Sequence, residues 1–125
     1  MTNPQIRIMI VEDDEQYSAF LVKALHRGEY ETIVVHKSSR AIAQAEISIP
    51  HIFLIDLMMP PPDGFRLCRM LRGHPNFRQT PILIVTALDN TDSKIVAIGA
   101  GANGYLVKPF SADELLSRVK ELLGT

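Results

Sequence analysis

The sequence has 125 residues, of which 46% are hydrophobic, and this is enough to build one sizeable core, so we predict one domain over residues 1–125. Its 13 basic and 14 acidic residues leave a formal net charge of −1. This balance excludes the broad positive field that attracts nucleic acid or an anionic membrane, so we expect any charge chemistry to be local.

Cysteine usage and hydropathy bear on the compartment. The single cysteine, Cys68, excludes an internal disulfide and fits a reducing compartment, where a lone buried thiol is usually an apolar filler. No apolar run approaches the ~20 residues that span a bilayer. Residues 1–7 are too short and polar for a secretory signal. We therefore expect a cytoplasmic protein that binds neither membranes nor nucleic acid directly.

Five short apolar runs alternate with segments of helical spacing. The runs are rich in β-branched residues and predict strands buried on both faces, at residues 8–11, 33–35, 52–55, 82–85 and 105–107. Helical spacing is strongest at residues 17–25 and 115–123 and weaker at 41–45, 67–71 and 95–98. Ser111 and Glu114 predict a capping box for the last helix, and Gly64 after Asp63 predicts the turn into the third. The alternation favours a parallel sheet covered by helices on both faces, a doubly wound α/β domain.

Polar residues follow four of the predicted strands, at the edge of the sheet where folds of this class bind ligands. These residues are Glu12, Asp13, Asp14, Asp56, Thr86 and Lys108. Asp14 taken alone is typical of a helix N-cap. Asp56 is different, because it follows four apolar residues and precedes three more. A carboxylate beside an apolar core needs a cation or several hydrogen-bond donors.

Carboxylates that converge on one point repel each other unless a hard cation lies between them, and oxygen ligands suit Mg²⁺. The carboxylates of Glu12, Asp13 and Asp56 together with the Lys108 ammonium carry a charge of −2, which a bound Mg²⁺ brings to zero. Such a site meets the needs of phosphoryl transfer. Asp56 is then the candidate nucleophile, and Lys108 and the Thr86 hydroxyl are candidate donors to the acyl phosphate product.

Four motifs occur at the strand ends, in the order I-M-I-V-E-D-D, F-L-I-D-L-M-M-P-P-P-D-G-F, P-I-L-I-V-T-A and G-Y-L-V-K-P-F. Together they resemble the receiver domains of two-component response regulators, such as the bacterial chemotaxis regulator, over essentially the whole chain. The resemblance implies a flavodoxin-like (βα)5 fold with strand order 2-1-3-4-5. It also implies phosphoryl transfer to Asp56 from a sensor histidine kinase or a phosphotransfer protein.

The resemblance further implies how the metal is held. Asp13 and Asp56 would bind Mg²⁺ directly, with Mn²⁺ as a possible substitute, and Glu12 would act mostly through water. Met58, two residues after the acceptor, would supply a backbone carbonyl, so its side chain is free to vary.

The remaining motif residues imply a switch. Thr86 and Lys108 would hold the phosphoryl oxygens, and the bond between Lys108 and Pro109 resembles the cis peptide of the family. Tyr105 would be the aromatic switch residue, which reports phosphorylation to the surface of the last strand and the last two helices. Packing of this tyrosine against a helix is compatible with switching.

Two departures from the family pattern carry expectations. Ala102, Asn103 and Gly104 stand where many relatives that dimerise carry an acidic pair, so we expect a monomer or a weak phosphorylation-dependent dimer. Met58 and Leu88 flank the site with apolar groups. Because hydrolysis needs a positioned water, we expect slow loss of the phosphoryl group.

Two other functions are open to this sequence. A magnesium-dependent aspartyl-nucleophile phosphohydrolase also places an aspartate after a strand, but such enzymes usually carry a second acid where Met58 stands here. The second alternative is a receiver-like binding module that is not phosphorylated. Every key position of the site carries the expected residue, and this argues against such a loss of function. We expect no independent enzymatic turnover.

The partners are not named by the sequence. Kinase specificity is expected on the first helix, around residues 17–25, and the output protein or domain stays open. All four histidines lie outside the motif ends, and we expect them to be solvated and not to be ligands: His26, His36, His51 and His74.

Overall fold

The computed structural model describes residues 5–124 as alternating strands and helices. The strands are β1 (Arg7–Val11), β2 (Glu31–Val35), β3 (Ile52–Ile55), β4 (Ile82–Thr86) and β5 (Gly104–Val107). The helices are α1 (Glu15–Arg27), α2 (Ala41–Ser48), α3 (Gly64–Arg72), α4 (Thr91–Gly99) and α5 (Ala112–Leu123), with a short 3-10 turn, Ser38–Arg40, before α2. All five predicted strands are present, and four of them are longer at one end than the apolar runs indicated.

The strands form one parallel sheet in the order β2-β1-β3-β4-β5, which confirms the predicted doubly wound fold. Val11 pairs with Ile55, so the residues that follow β1 and β3 leave the sheet side by side. Thr86 pairs with Val107, which places Lys108 beside the end of β4. The parallel register therefore brings the four polar strand ends to one edge.

Two apolar cores cover the two faces of the sheet, because alternate strand residues point to opposite sides. One core contains Met9, Phe53 and Ile84 packed against α2, α3 and α4. The other contains Ile10 and Leu54 packed against α1 and α5. The central strands β1, β3 and β4 are thus buried on both sides, as predicted, whereas the edge strands β2 and β5 are only partly buried.

Cys68 lies in the first of these cores and is fully buried. Burial raises the pKa of its thiol to about 12, so the thiol stays protonated near neutral pH. This confirms the expectation of an inert apolar filler.

The helices α1 and α5, which border the polar edge, each have a side-chain N-cap. The Asp14 carboxylate accepts hydrogen bonds from the backbone N–H groups of Gln16 and Tyr17, which confirms its predicted role as an N-cap. Ser111 and Glu114 form the predicted capping box at the start of α5. Because Asp14 is engaged in capping, Glu12 and Asp13 are the acids after β1 that face the neighbouring strand end.

Gly64 begins α3 at a point where two segments of backbone touch. Its N–H donates to the Leu57 carbonyl at 3.0 Å. A Cβ built on Gly64 would lie 2.6 Å from the Leu57 Cα and would also overlap the Asp56 carbonyl oxygen. The glycine is therefore required by close packing against the loop that carries Asp56.

We expect Gly64→Ala to lower the free energy of unfolding by about 1–3 kcal/mol, because the added methyl group overpacks this backbone contact. Gly99→Ala is the matched control, since no atom lies within 4 Å of a Cβ at that helical position. The control should raise stability by about 0.5–1 kcal/mol through helix propensity. Urea unfolding of both variants checks the pair, and equal effects at the two glycines would contradict the packing argument.

Candidate functional site

Three carboxylates meet where β1 and β3 end. Glu12, Asp13 and Asp56 each offer an oxygen, and these oxygens lie within 4.8 Å of one another. Glu12 is fully buried and Asp56 is 6% exposed, whereas Asp13 faces solvent. The donor set consists of hard oxygen atoms with one open side, and this fits Mg²⁺ with its retained waters.

The Lys108 ammonium lies against the two buried carboxylates. Its Nζ is 2.6 Å from Glu12 Oε1 and 3.3 Å from Asp56 Oδ2. Burial opposes a charged lysine, but the hydrogen bond that Lys108 donates to Glu12 and the charge of Asp56 outweigh this effect and raise the Lys108 pKa. Lys108 is therefore a fixed positive charge beside Asp56.

For Glu12, in contrast, the effect of burial on the pKa is larger than the effect of the neighbouring Lys108 charge. Burial raises the pKa of Glu12 to about 6, and the nearby Asp56 charge adds to this effect, although Lys108 and a backbone N–H act to lower it. That backbone donor is the Asp14 N–H, 3.2 Å from Glu12 Oε2. A cation at this edge would favour the ionised form of Glu12.

Backbone groups after β3 also hold Asp56. The Met58 N–H donates to Asp56 Oδ1 at 3.2 Å, while the Met58 side chain is 59% exposed. The Lys108–Pro109 peptide is cis, as expected, and a second cis bond, Pro61–Pro62, occurs in the loop before α3. The two Asp56 oxygens thus have one neutral and one charged donor.

Thr86 and Tyr105 both bond to Leu88. The Thr86 hydroxyl, which is fully buried at the end of β4, accepts a hydrogen bond from the Leu88 N–H at 3.4 Å. The half-buried Tyr105 donates its hydroxyl proton to the Leu88 carbonyl at 2.7 Å. The two predicted switch residues are therefore linked through one loop residue, and no pattern in the sequence indicated this role for the Leu88 backbone.

The sequence also did not indicate the position of Tyr17. Its ring covers the Lys108 ammonium, with Nζ 4.1 Å from the ring centroid. A tyrosine in the first turn of α1 points back towards the helix N-terminus, and the N-terminus of α1 borders the polar edge. That direction is the one signal that could have placed Tyr17 near the site.

The histidines lie outside the group of carboxylates. Three of them are exposed: His26, His36 and His51. His74 is half-buried instead, with its Nε2 2.8 Å from the Glu46 carboxylate and its ring packed on Phe77. The prediction of four solvated histidines is thus wrong for His74, because an acid on α2 and a core aromatic ring lie next to it.

The fold and the site together define a class: a doubly wound α/β domain with an acidic cluster, a lysine and a threonine at the carboxyl edge of its sheet. The family model of the response regulator receiver domain matches residues 8–120. The chain belongs to this family, and it is a receiver domain of the kind found in two-component response regulators.

Curated relatives agree in sequence. Response regulator MprA of Mycobacterium tuberculosis (strain ATCC 25618 / H37Rv) is 36% identical over 118 residues, which is 94% of this chain and 50% of MprA. Response regulator PleD of Caulobacter vibrioides (strain NA1000 / CB15N) is 36% identical over 116 residues, which is 93% of this chain and 26% of PleD. The chain therefore spans half or less of the length of these relatives.

Solved structures agree in fold. The BeF3-activated N-terminal receiver domain of Klebsiella pneumoniae RstA has a TM-score of 0.88 at 31% identity, over 95% of this chain and 99% of that one. The receiver domain of sensor histidine kinase PA1611 from Pseudomonas aeruginosa PAO1, with a magnesium ion coordinated in its active site cleft, has a TM-score of 0.89 at 28% identity, over 98% and 100% of the chains. Within residues 5–124, none of the helices has the length and apolar character needed to cross a membrane.

Proposed function

We propose that Asp56 accepts a phosphoryl group from a sensor histidine kinase or a phosphotransfer protein in a magnesium-dependent reaction. The observation that carries the proposal is the environment of the Asp56 carboxylate. It is nearly buried, it accepts hydrogen bonds from the Met58 N–H and the Lys108 ammonium, and it lies beside two further carboxylates. A carboxylate held in this way is oriented for attack and surrounded by the charges that phosphoryl transfer requires.

In the proposed transfer, an Asp56 oxygen forms a bond to phosphorus while the bond from phosphorus to the donor histidine nitrogen breaks. Lys108, already 3.3 Å from Asp56, would neutralise charge on the moving phosphoryl oxygens, and the Thr86 hydroxyl would donate to one of them. Asp13 and Asp56 would hold Mg²⁺, with Glu12 acting through water and Met58 through its carbonyl. When bound, Mg²⁺ supplies positive charge to the same oxygens.

The proposed switch uses the link through Leu88. If Thr86 turns its hydroxyl towards the phosphoryl group, its 3.4 Å contact with the Leu88 N–H is lost, and the loop that Tyr105 also holds is free to shift. Movement of this loop would alter the surface formed by α4, β5 and α5, through which the domain would control an output protein or domain.

The first test is the mass of the intact protein after incubation with Mg²⁺ and a small acyl phosphate. We expect the gain of one phosphoryl group in the wild type and no gain in Asp56→Asn, because a neutral amide replaces the nucleophilic carboxylate while the shape of the side chain is kept. Turnover of many equivalents of donor would instead indicate a phosphohydrolase. No gain of mass in either protein would indicate a binding module and would overturn the proposal.

The lifetime of the phospho-form is a second prediction. The Met58 side chain is exposed beside the site and Leu88 is half-buried, so neither offers a polar group to orient an attacking water. We expect Met58→Gln and Leu88→Gln to speed loss of the phosphoryl group by about tenfold, because each adds a group that can hold that water. The decay of phosphoprotein mass after removal of donor gives the rates. A wild-type phospho-form as short-lived as those of chemotaxis-type regulators would count against this prediction.

The domain extent, the cellular location, the kinase contact and the oligomeric state are also proposals. We infer one receiver domain over residues 1–125, in the cytoplasm, with α1 and its adjoining loops as the kinase contact. Asn103, at the position of the missing acidic pair, accepts hydrogen bonds from the Arg72 guanidinium and the Ile82 N–H, both at 2.8 Å. Because this side chain is used inside the domain, the proposal of a monomer or a weak phosphorylation-dependent dimer is retained.

A further inference from the structure

The Lys108 ammonium has an aromatic ring on one side and carboxylates on the other. Its Nζ lies 4.1 Å from the centroid of the Tyr17 ring, while Glu12 and Asp56 accept its hydrogen bonds. The Lys108 side chain is 13% exposed, so the ring and the acids together leave little room for water. An ammonium over the face of a tyrosine ring is attracted by the negative face of that ring.

The ring is held in place from two directions. The Asp14 N-cap accepts a hydrogen bond from the Tyr17 N–H at 3.2 Å and so fixes the backbone of the first turn of α1. The ring itself makes edge contacts with Phe20, at 5.4 Å between centroids, and with Phe110, at 5.8 Å. Phe110 follows the cis peptide between Lys108 and Pro109, so this aromatic group joins α1 to the segment that carries the lysine.

We propose that Tyr17 is a positioning residue for phosphoryl transfer: its ring face keeps the Lys108 ammonium directed at Asp56 and separated from solvent. The inference rests on the proposed function, in which Lys108 neutralises charge on the phosphoryl group. A tyrosine with a purely structural role would be expected to contact only apolar neighbours. Here the ring also lies over the Lys108 ammonium, which touches both buried carboxylates.

The consequence is kinetic. During transfer Lys108 has to move from Glu12 towards the phosphoryl oxygens, and the ring face allows this sliding movement while it prevents the flexible side chain from turning out into water. Without the ring, the ammonium has more conformations and more hydration to lose before it can act. Within residues 5–124 the Tyr17 side chain contacts Lys108 and the neighbouring aromatic rings and forms no hydrogen bond with the three carboxylates, so we expect the metal affinity to change little in its absence.

The test compares Tyr17→Leu, Tyr17→Phe and Phe20→Leu with the wild type, by the rate of phosphoryl gain from saturating acyl phosphate. We expect Tyr17→Leu to lower this rate by about twofold to fivefold, the factor for one partly exposed cation–π contact. Tyr17→Phe keeps the ring and should restore most of the rate. Phe20→Leu is the matched control, because it removes a ring from the same aromatic group that does not lie over Lys108.

A second readout separates positioning from general damage to the site. The Mg²⁺ concentration that gives half the maximal rate should be the same in Tyr17→Leu as in the wild type. A rate loss that appears equally in Phe20→Leu, or that is accompanied by weaker Mg²⁺ dependence, would overturn the inference and indicate a structural role.

A third readout needs no variant and no donor. The ε-methylene protons of Lys108 should be shifted upfield in the proton NMR spectrum of the wild type, because this methylene is bonded to the Nζ that lies 4.1 Å from the centroid of the Tyr17 ring. Lys108 resonances at the ordinary lysine position would overturn the inference even if Asp56 is phosphorylated. If the wild type gains no phosphoryl mass while this upfield shift is present, the proposed function fails and the ring contact stands.

Discussion

Replacing Lys108 with methionine is expected to lower the free energy of unfolding by about 3 kcal/mol at pH 8 without Mg²⁺, because the change leaves two buried carboxylates without their counter-charge. Methionine keeps the length of the side chain and removes the ammonium that lies 2.6 Å from Glu12 and 3.3 Å from Asp56. Urea unfolding of the two proteins measures the difference.

The loss should depend on pH through Glu12. Burial gives this carboxyl a folded-state pKa of about 6, above the ordinary value of 4.5, and Lys108 acts to lower it. A carboxyl with a raised folded pKa favours the folded state below its unfolded pKa, and this contribution is lost as pH rises through the folded pKa. In Lys108→Met the folded pKa rises further, so Glu12 takes up a proton more readily. We therefore expect a small loss at pH 5 and the full loss at pH 8.

Two controls accompany this prediction. Lys94→Met removes a lysine that is 46% exposed and paired with Asp89 at 3.0 Å, and it should cost less than about 1 kcal/mol because water screens exposed pairs. Adding Glu12→Gln to Lys108→Met should recover much of the lost stability at pH 8. Equal destabilisation by Lys108→Met at both pH values would contradict the role given to Glu12.

Mg²⁺ is expected to raise the free energy of unfolding by about 2.7 kcal/mol when its concentration is 100 times its dissociation constant, since it binds only the folded site. The physical reason is the excess negative charge of the acidic cluster, whose oxygens lie within 4.8 Å of one another. Thermal melting with and without Mg²⁺ measures the effect, which Asp13→Asn and Asp56→Asn should each greatly reduce. Asp113→Asn, at an acid that is 86% exposed on α5, should leave it intact.

The same cluster makes a prediction for the metal-free protein. Asp13→Asn should raise the melting temperature, because it removes one of three like charges. The rise should be small, since Asp13 faces solvent and Lys108 already offsets part of the repulsion between the two buried acids. No change in melting with either Mg²⁺ or Asp13→Asn would remove the case for a repulsive cluster.

Much of the fold could be predicted because its signals are local. Short β-branched runs can be buried on both faces only as central strands of a covered sheet, and the strands follow these runs closely. Their ends were less certain, because pairing extends a strand beyond its apolar residues. β2 begins at Glu31, which pairs with Arg7, although its apolar run starts at Ile33.

Much of the candidate site could be predicted for a related reason. In a parallel sheet every strand ends at the same edge, so Glu12, Asp56 and Lys108 had to meet once the strands were placed. The contacts that were missed lack such a rule. Gly64 packs against the peptide after Asp56, and His74, in the loop after α3, contacts Glu46 on α2. Both contacts depend on how the loops and helices pack against the sheet and against each other.

The sequence by itself therefore determined the alternation of strands and helices, the edge of the sheet at which the site lies, and the acids, lysine and threonine that meet there. These features follow from the sequence because the apolar runs and the polar residues at their ends are local properties of the chain. Only the tertiary structure decided that Lys108 lies between Glu12 and Asp56, that Leu88 links Thr86 to Tyr105, and that the Tyr17 ring covers the lysine. Most of these contacts join residues far apart in the chain. They depend on side-chain direction and close packing, which only the folded structure fixes.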